Sequence, residues 1–332
     1  MRVLPALFAL AAAASPSWAQ EKLPLVKVVA TGGTIANTPS GRLNAAEVAD
    51  AIPALKKVAR LEVEEVIRVG SSSITLDNWL TLARRINDIF SRESEVKGIV
   101  VTHGSNTVEE TGYFLSLTVK SDKPVVLTAA QRQFTTLSSD SPKNFLQAVR
   151  VAVSDEARGK GALVVANDMI HAARDVTKTL SYRVETYNSR DLGALGLVDE
   201  DKVSFYRAPT RRGSAFDLPS KLPRVEIIYT YADADGAFID ASKADGLVIA
   251  GFPTGSGTPA MDEAVKRVVA KGIPVVMTHR GGMGRVTDTR AAEKRPLIWG
   301  DNLTPQKARI LLMLALTRTR NAGDLQKIFD TY

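Results

Sequence analysis

The sequence predicts an α/β protein: a larger N-terminal domain on a doubly wound, mostly parallel sheet, and a smaller C-terminal α/β domain. Three observations lead there. Short β-branched runs alternate with segments of helical period, the pattern of a parallel sheet covered by helices. The 332 residues exceed one average domain of roughly 150, so two domains are expected. Between the halves, Pro209–Pro223 is rich in Pro, Gly, Ser and charge and carries no usable period, which marks a linker. The domain reading is thus a leader over 1–19, a larger domain over 20–210, a linker over 211–223 and a smaller domain over 224–332.

Residues 1–19 read as an address rather than structure. Arg2 precedes an apolar run through Ala14, and Ser17 and Ala19 are the small residues of a secretory cleavage site. That run is shorter than the roughly 20 residues a membrane span needs, so a cleaved signal is expected rather than an anchor.

Leu25–Ala30 is strand-like and runs into a Gly-rich turn. Ala45–Val58 reads as a helix and Leu61–Val69 as a strand. Leu76–Phe90 is the clearest helix, because Leu76, Trp79, Leu80, Ala83, Ile86 and Phe90 share one 3.6-period face. Ser73 and Thr75 are candidates to cap it. Gly98–Thr102 is a buried strand and Thr107–Val119 the helix after it, with Thr107 and Glu110 in capping-box spacing. Pro124–Thr128, Asn144–Ser154 and Ala162–Ala166 continue the alternation. In the second half, Arg224–Tyr229, Gly246–Ala250 and Ile273–Thr278 are strands, and Met261–Ala270 and Pro305–Thr317 are helices. Thr304 is the expected cap of the last, with Pro305 at its first position.

Composition narrows the function classes. Hydrophobic residues at 45% and charged residues at 24% exclude disorder, collagen-like repeats and coiled coils. Basic residues outnumber acidic ones 43 to 36, yet they are scattered in runs of no more than two, and aromatics are only 6%. A nucleic-acid binder concentrates its charge in a stripe, so neither nucleic acid nor, once the leader is removed, membrane is expected as a partner. Cysteine is absent, which removes disulfides, a thiol nucleophile and thiolate metal sites. A chain of this size needs no disulfide staples, so export to a bacterial periplasm is compatible with that lack.

Ligands of open α/β sheets sit at the carboxyl ends of the strands. That rule selects Thr31-Gly-Gly-Thr34, Gly70-Ser71-Ser72-Ser73 and His103-Gly104-Ser105-Asn106-Thr107, all rich in glycine and hydroxyls. They suit a small polar ligand. The turns lack the spacing of dinucleotide or nucleoside triphosphate loops. Of the three histidines, His103, His171 and His279, no two stand at metal-ligand spacing, and no G-x-S-x-G elbow occurs. Neither metal nor cofactor is expected, and His103 and His171 read as satisfied core histidines. What remains is hydroxyl nucleophiles served by a lysine base of lowered pKa.

Thr31-Gly-Gly-Thr-Ile-Ala36 and His103-Gly-Ser-Asn-Thr-Val-Glu-Glu-Thr111 resemble the two signatures of the bacterial asparaginase/glutaminase family. Asn167–Thr179 is similar to the segment carrying that family's lysine, and Leu303–Arg309 to its last helix. The likeness runs from about Leu25 to Tyr332. It implies a side-chain amidohydrolase of the type II asparaginase kind, acting on asparagine and possibly glutamine, and a homotetramer whose sites are shared between subunits. Residue by residue, Thr34 matches the first threonine nucleophile and Ser105 stands where a second catalytic threonine is usual. Lys178 matches the lysine paired with it. Asn106 occupies the place of an aspartate that orients the lysine and holds the substrate's ammonium. Ser71 matches a carboxylate-binding serine, Ser72 replaces a glutamine that reaches the substrate, and Gly33 and Gly104 line the site. No tyrosine precedes Tyr113, so the family's lid tyrosine has no counterpart. Glu293 is the candidate for an acidic residue lent by a neighbour. Two alternatives stand beside this reading: an amidase for an ω-amide without the α-ammonium, and a non-catalytic periplasmic binder that keeps the fold but loses acid–base competence through Asn106 and the missing lid tyrosine.

The leader makes a first prediction: protein recovered from the periplasm of its host begins at Gln20. Mass spectrometry of the mature N-terminus checks it, and a chain still carrying Met1 would refute it.

Overall fold

The structure, a computed structural model, is described here over residues 22–211, 215–286 and 296–332. Its larger sheet has eight strands: β1 (Leu25–Ala30), β2 (Arg60–Glu65), β3 (Val96–Thr102), β4 (Val125–Thr128), β5 (Ala162–Ala166), β6 (Met169–Ala172), β7 (Gly196–Val198) and β8 (Val203–Phe205). Their spatial order is β8-β7-β6-β5-β4-β3-β1-β2. The first five are parallel; from β5 onward each pairing is antiparallel. The reversal is made by Asn167 and Asp168, both at positive φ, as a two-residue hairpin demands.

The chain passes from β1 outward to β2 and then back across β1 to β3. Helices α1 (Ala45–Asp50) and α4 (Ser141–Val153) cover one face of the sheet, while α2 (Leu76–Arg92) and α3 (Val108–Thr118) cover the other. Successive residues feed opposite cores: Val100 packs with α4, whereas Ile99 and Val101 pack with α2 and α3. The winding reverses between β1 and β3, so a crevice opens at their carboxyl ends.

The smaller sheet is parallel and in chain order: β9 (Val225–Tyr229), β10 (Gly246–Gly251), β11 (Val275–His279) and β12 (Ile298–Trp299). Helices α5 (Ala237–Ala241) and α6 (Pro259–Ala270) lie on one side. On the other, α7 (Pro305–Ala315) is wedged against both the small sheet and α3, so its apolar residues join the core of α2 and α3 into one cluster across the domains. The final helix α8 (Ala322–Thr331), capped by the Asn321 side chain, is not among the predicted elements.

Several boundaries differ from expectation for local reasons. The helix expected over Ala45–Val58 stops at Asp50, and a 3-10 turn over Pro53–Lys57 follows, because Pro53 lacks an N–H and drives Ile52 out of helical conformation. The strand expected to reach Val69 ends at Glu65. Thr75, not Ser73, caps α2, in a reciprocal box with Asn78. Thr107 and Thr304 occupy N-cap positions, but neither hydroxyl bonds its own helix.

Candidate active site

The loops after β1 and β3 and the segment after β2 converge on that crevice. Thr31 N–H donates to Thr102 C=O at 3.0 Å and His103 N–H to Thr128 C=O at 2.9 Å, so sheet pairing continues into both loops. At Gly33, φ is 98°, and a Cβ there would lie 2.3 Å from the Gly104 Cα. A Cβ on Gly104 would in turn lie 2.5 Å from Ser71 Oγ. Both positions therefore admit only glycine, the first for its backbone angle and its space, the second for space alone. The three predicted loops are stacked in contact. Ser71 ties the stack polarly: its Oγ accepts from Asn106 N–H at 3.2 Å, and its C=O accepts from the Thr107 hydroxyl at 2.8 Å. This bond is why Thr107 does not cap α3.

Lys178 reaches the same point from a separate element. It sits in a two-residue antiparallel ribbon, Thr177–Lys178 against Tyr187–Asn188. Its Nζ donates to Ser105 Oγ at 2.8 Å and to Asn106 Oδ1 at 3.1 Å. Ser105 is buried and the Tyr187 hydroxyl donates to its C=O at 3.4 Å. Thr34, next to Gly33, starts a short 3-10 turn and is half-buried, with its neighbours Ile35 and Ala36 in the core. Ser71 is buried whereas Ser72 and Asn106 are exposed. Beyond Thr34 the chain forms a tight ribbon, Asn37–Thr38 against Gly41–Arg42, pinned by Arg42 Nε donating to Asn37 Oδ1 at 2.8 Å. Glu293 lies outside the described residues. Among the described residues, no group of three or more His, Asp or Glu could hold a metal ion.

The electrostatics follow from burial. Desolvation lowers the Lys178 pKa, opposed by the negative charge of Glu109. Glu109 is buried, its Oε2 accepts the Lys178 backbone N–H at 3.0 Å, and desolvation raises its pKa against the pull of Lys307. Sequence reasoning missed Glu109, Tyr187 and Lys307.

His103 is fully buried, and its tautomer is fixed by the carbonyl it faces. Gly104 C=O, 2.8 Å from Nδ1, can only accept, so the proton of the neutral ring is on Nδ1. Nε2 then accepts from the Thr111 hydroxyl at 3.0 Å, and Thr111 Oγ1 in turn accepts from Trp79 Nε1 at 2.8 Å. The histidine is a brace for the Gly104 loop.

Comparison with known proteins places this arrangement in context. Residues 25–211 match the family description "Asparaginase, N-terminal", and 224–329 match "Glutaminase/Asparaginase C-terminal domain". The chain belongs to the asparaginase family. Family relatives include L-asparaginase 2 of Bacillus subtilis (strain 168), 40% identical over 96% of this chain and 90% of that protein. L-asparaginase 2 of Escherichia coli (strain K12) is 37% identical over 93% of this chain and 94% of that one. A solved family structure, titled as a probable cytoplasmic L-asparaginase from Campylobacter jejuni, superposes with a TM-score of 0.89 at 38% identity. It covers 93% of this chain and 100% of that one.

Burial of His103 has a measurable consequence. It pulls the pKa from 6.5 down to about 4. Between those values the unfolded chain binds a proton that the folded chain refuses, so stability falls as the pH drops through that window. At pH 5 this amounts to about 2 kcal/mol. Glu110, raised by burial to about 6, works in the opposite direction. His103→Gln is therefore expected to lose about 2 kcal/mol less than wild type between pH 7.5 and pH 5, by urea unfolding. Equal losses in the two proteins would refute the assignment.

Proposed function

We propose that the protein is an amidohydrolase of the L-asparaginase type, cleaving the side-chain amide of a small amino-acid-like substrate to a carboxylate and ammonia. The observation that carries this is the 2.8 Å bond between Lys178 Nζ and Ser105 Oγ, in a loop pressed against the one that bears Thr34. A lysine desolvated beside a hydroxyl is the composition of an activated hydroxyl site that needs no histidine.

In the proposed reaction, Thr34 Oγ adds to the amide carbon as its proton passes to a base. Backbone N–H groups of the two Gly-rich loops stabilise the oxyanion, an effect of about 3–4 kcal/mol per donor in well-placed cases. The C–N bond breaks as the leaving nitrogen takes a proton, giving ammonia and an acyl-threonine ester. Lys178, through Ser105, then takes a proton from water as it attacks the ester, and the proton is passed on to Thr34 Oγ as the ester C–O bond breaks, releasing the acid product and free Thr34. Ser71 is assigned to the substrate carboxylate, with Ser72 at the rim.

Export is part of this proposal and rests on the leader. A Haemophilus influenzae relative, 36% identical, is described as a probable periplasmic L-asparaginase, whereas the Campylobacter jejuni protein is described as cytoplasmic. A homotetramer in which a neighbour's smaller domain completes each site is likewise proposed from family likeness. Glutaminase-asparaginases among the relatives, such as that of Pseudomonas fluorescens biotype A at 35% identity, support glutamine as a second substrate.

One departure favours a second substrate class. Asn106 offers a neutral amide where the family pattern has an aspartate, and Ser72 a shorter hydroxyl where it has a glutamine. A hydrogen bond to a charged group is worth roughly 1.5–3 kcal/mol, so binding of the α-ammonium should weaken by about ten- to a hundredfold.

Two outcomes follow. Thr34→Ala and Lys178→Met should each remove at least about nine-tenths of the ammonia release from asparagine, a loss above ~1.4 kcal/mol, with unchanged circular dichroism. Retained turnover in either would show the role to be misassigned, and no ammonia release by the wild type would favour a binder. Separately, asparagine should show a high KM and succinamate should be used relatively better, with Asn106→Asp restoring asparagine preference mainly through KM. Micromolar KM for asparagine, unimproved by Asn106→Asp, would rule out this specificity.

A further inference from the structure

With Asn106 in the aspartate's place, the carboxylate expected beside Lys178 is absent from that position. A different carboxylate is nevertheless seated against this lysine. Glu109 stands three residues further on, in the first turn of α3, and is only 6% exposed. Its Oε2 accepts the backbone N–H of Lys178 at 3.0 Å. We infer that Glu109 is the positioning residue and counter-charge of Lys178, supplying from the first turn of α3 the negative charge that Asn106 lacks. This rests on Lys178 acting as the base proposed above.

Burial disfavours the charged form of this carboxylate, and opposite charge in its surroundings offsets part of that cost. A carboxylate in a dry core neutralises unless opposite charge compensates it. The compensation comes from two elements packed against it. Lys307, fully buried on α7, donates to the carbonyls of Arg174 and Val176 and so fixes the segment that ends in Lys178. Arg190 contributes from the loop beyond the ribbon. Lys307 itself faces Arg174 and Asp175, whose side chains form an ion pair at 3.1 Å. On the opposing side, Glu110 repels Glu109 from the same helix, and the Tyr187 phenol nearby is buried and neutral.

The placement suits a base that must cycle. Burial favours the amine form of Lys178, which accepts a proton, but the ammonium it becomes then needs a partner. Glu109 bonds the backbone of Lys178 while Nζ points to Ser105 and Asn106. Its charge therefore acts on the ammonium without a side-chain salt bridge that would lock the proton in place. With Asn106 in place, the lysine's counter-charge lies in the core, on a glutamate of the same signature segment, and the substrate-facing position is neutral.

The test is the pH profile. Gln at 109 can still accept the Lys178 N–H, so Glu109→Gln removes charge and keeps the bond. Loss of that charge lowers the Lys178 pKa, leaving more amine at low pH. The acid limb of kcat/KM for asparagine should move down by about two pH units, as expected for unit charges roughly 6 Å apart at an effective dielectric near 20. Glu109→Asp keeps the charge and should leave the limb in place, and adding Asn106→Asp to Glu109→Gln should return it upward. A second readout needs no turnover: the pH dependence of Lys178 arylation by fluorodinitrobenzene, mapped by peptide mass spectrometry, should shift the same way. Lower kcat/KM with an unmoved limb and unmoved labelling would make Glu109 merely structural and overturn the inference, as would equal shifts in the Gln and Asp variants. Either failure leaves the amidohydrolase reading standing so long as wild type releases ammonia and Lys178→Met does not.

Discussion

The contact on which this molecule depends is the stacking of three loops with no side chain larger than that of Ser71 between them. Gly33 faces Gly104, and Gly104 faces Ser71, each at a separation that would not hold a methyl group. The close approach brings loops from different crossovers together at the crevice, in space that side chains of ordinary size would fill. It also explains the polar staples around it: Ser71 holds Asn106 and Thr107, and the Trp79–Thr111–His103 chain ends on the carbonyl of Gly104. A loop that cannot be wedged by bulk has to be held by hydrogen bonds from neighbours that are themselves fixed in the core.

The second support is the joint between the domains. Helix α7 belongs in sequence to the smaller domain, yet it packs on α3, whose amino end carries the Ser105 loop. Its Lys307 reaches past α3 to the carbonyls just ahead of Lys178. Arg174, in the same segment, donates through Nε to the C-terminal carbonyl oxygen of Tyr332 at 2.5 Å, so the end of the chain is fastened there too. The short ribbon bearing Lys178 has only two residues per strand and could not hold a side chain in place by sheet pairing alone. Its geometry is fixed from both domains, which is a reason for the smaller domain to be needed even by the residues of the larger one.

How far the sequence reveals this depends on whether a feature is periodic, local or long-range. The parallel strands and α2 were legible because β-branched runs and a 3.6-residue face are local patterns. The hairpin at Asn167-Asp168 falls inside the segment likened to the family's lysine motif, and no strand is expected beyond Ala166 in that half. The break of the first helix lay in Pro53 and was passed over. At the crevice, the loops at the carboxyl ends of β1 and β3 followed from topology alone, and Ser105 met Lys178 as the family likeness implied. Thr107 shows the limit: the spacing to Glu110 is a valid capping box, and only the three-dimensional proximity of Ser71 decides that its hydroxyl goes elsewhere. The ring of Lys307, Glu109 and Arg190 was invisible, since the residues are far apart in sequence and charged side chains are ordinarily placed outside.

Replacing a carboxylate by its amide at position 106 separates geometry from charge in a way the remaining structure makes intelligible. The amide oxygen of Asn106 still accepts from Lys178 Nζ at 3.1 Å, so the lysine keeps its aim at Ser105. What changes is the energy of the ammonium form, because a neutral acceptor stabilises a cation far less than an ionised one. In a site already desolvated, that change pushes Lys178 toward the free amine, the state from which it can take a proton. The same exchange makes the exposed wall of the site neutral toward substrate. A single atom's replacement thus acts on two partners in opposite senses: it favours the base and disfavours an ammonium-bearing ligand. Substrate choice and base strength are coupled through one side chain, and a chain that carries asparagine there needs another source of charge inside the fold if its lysine is to hold the proton it takes.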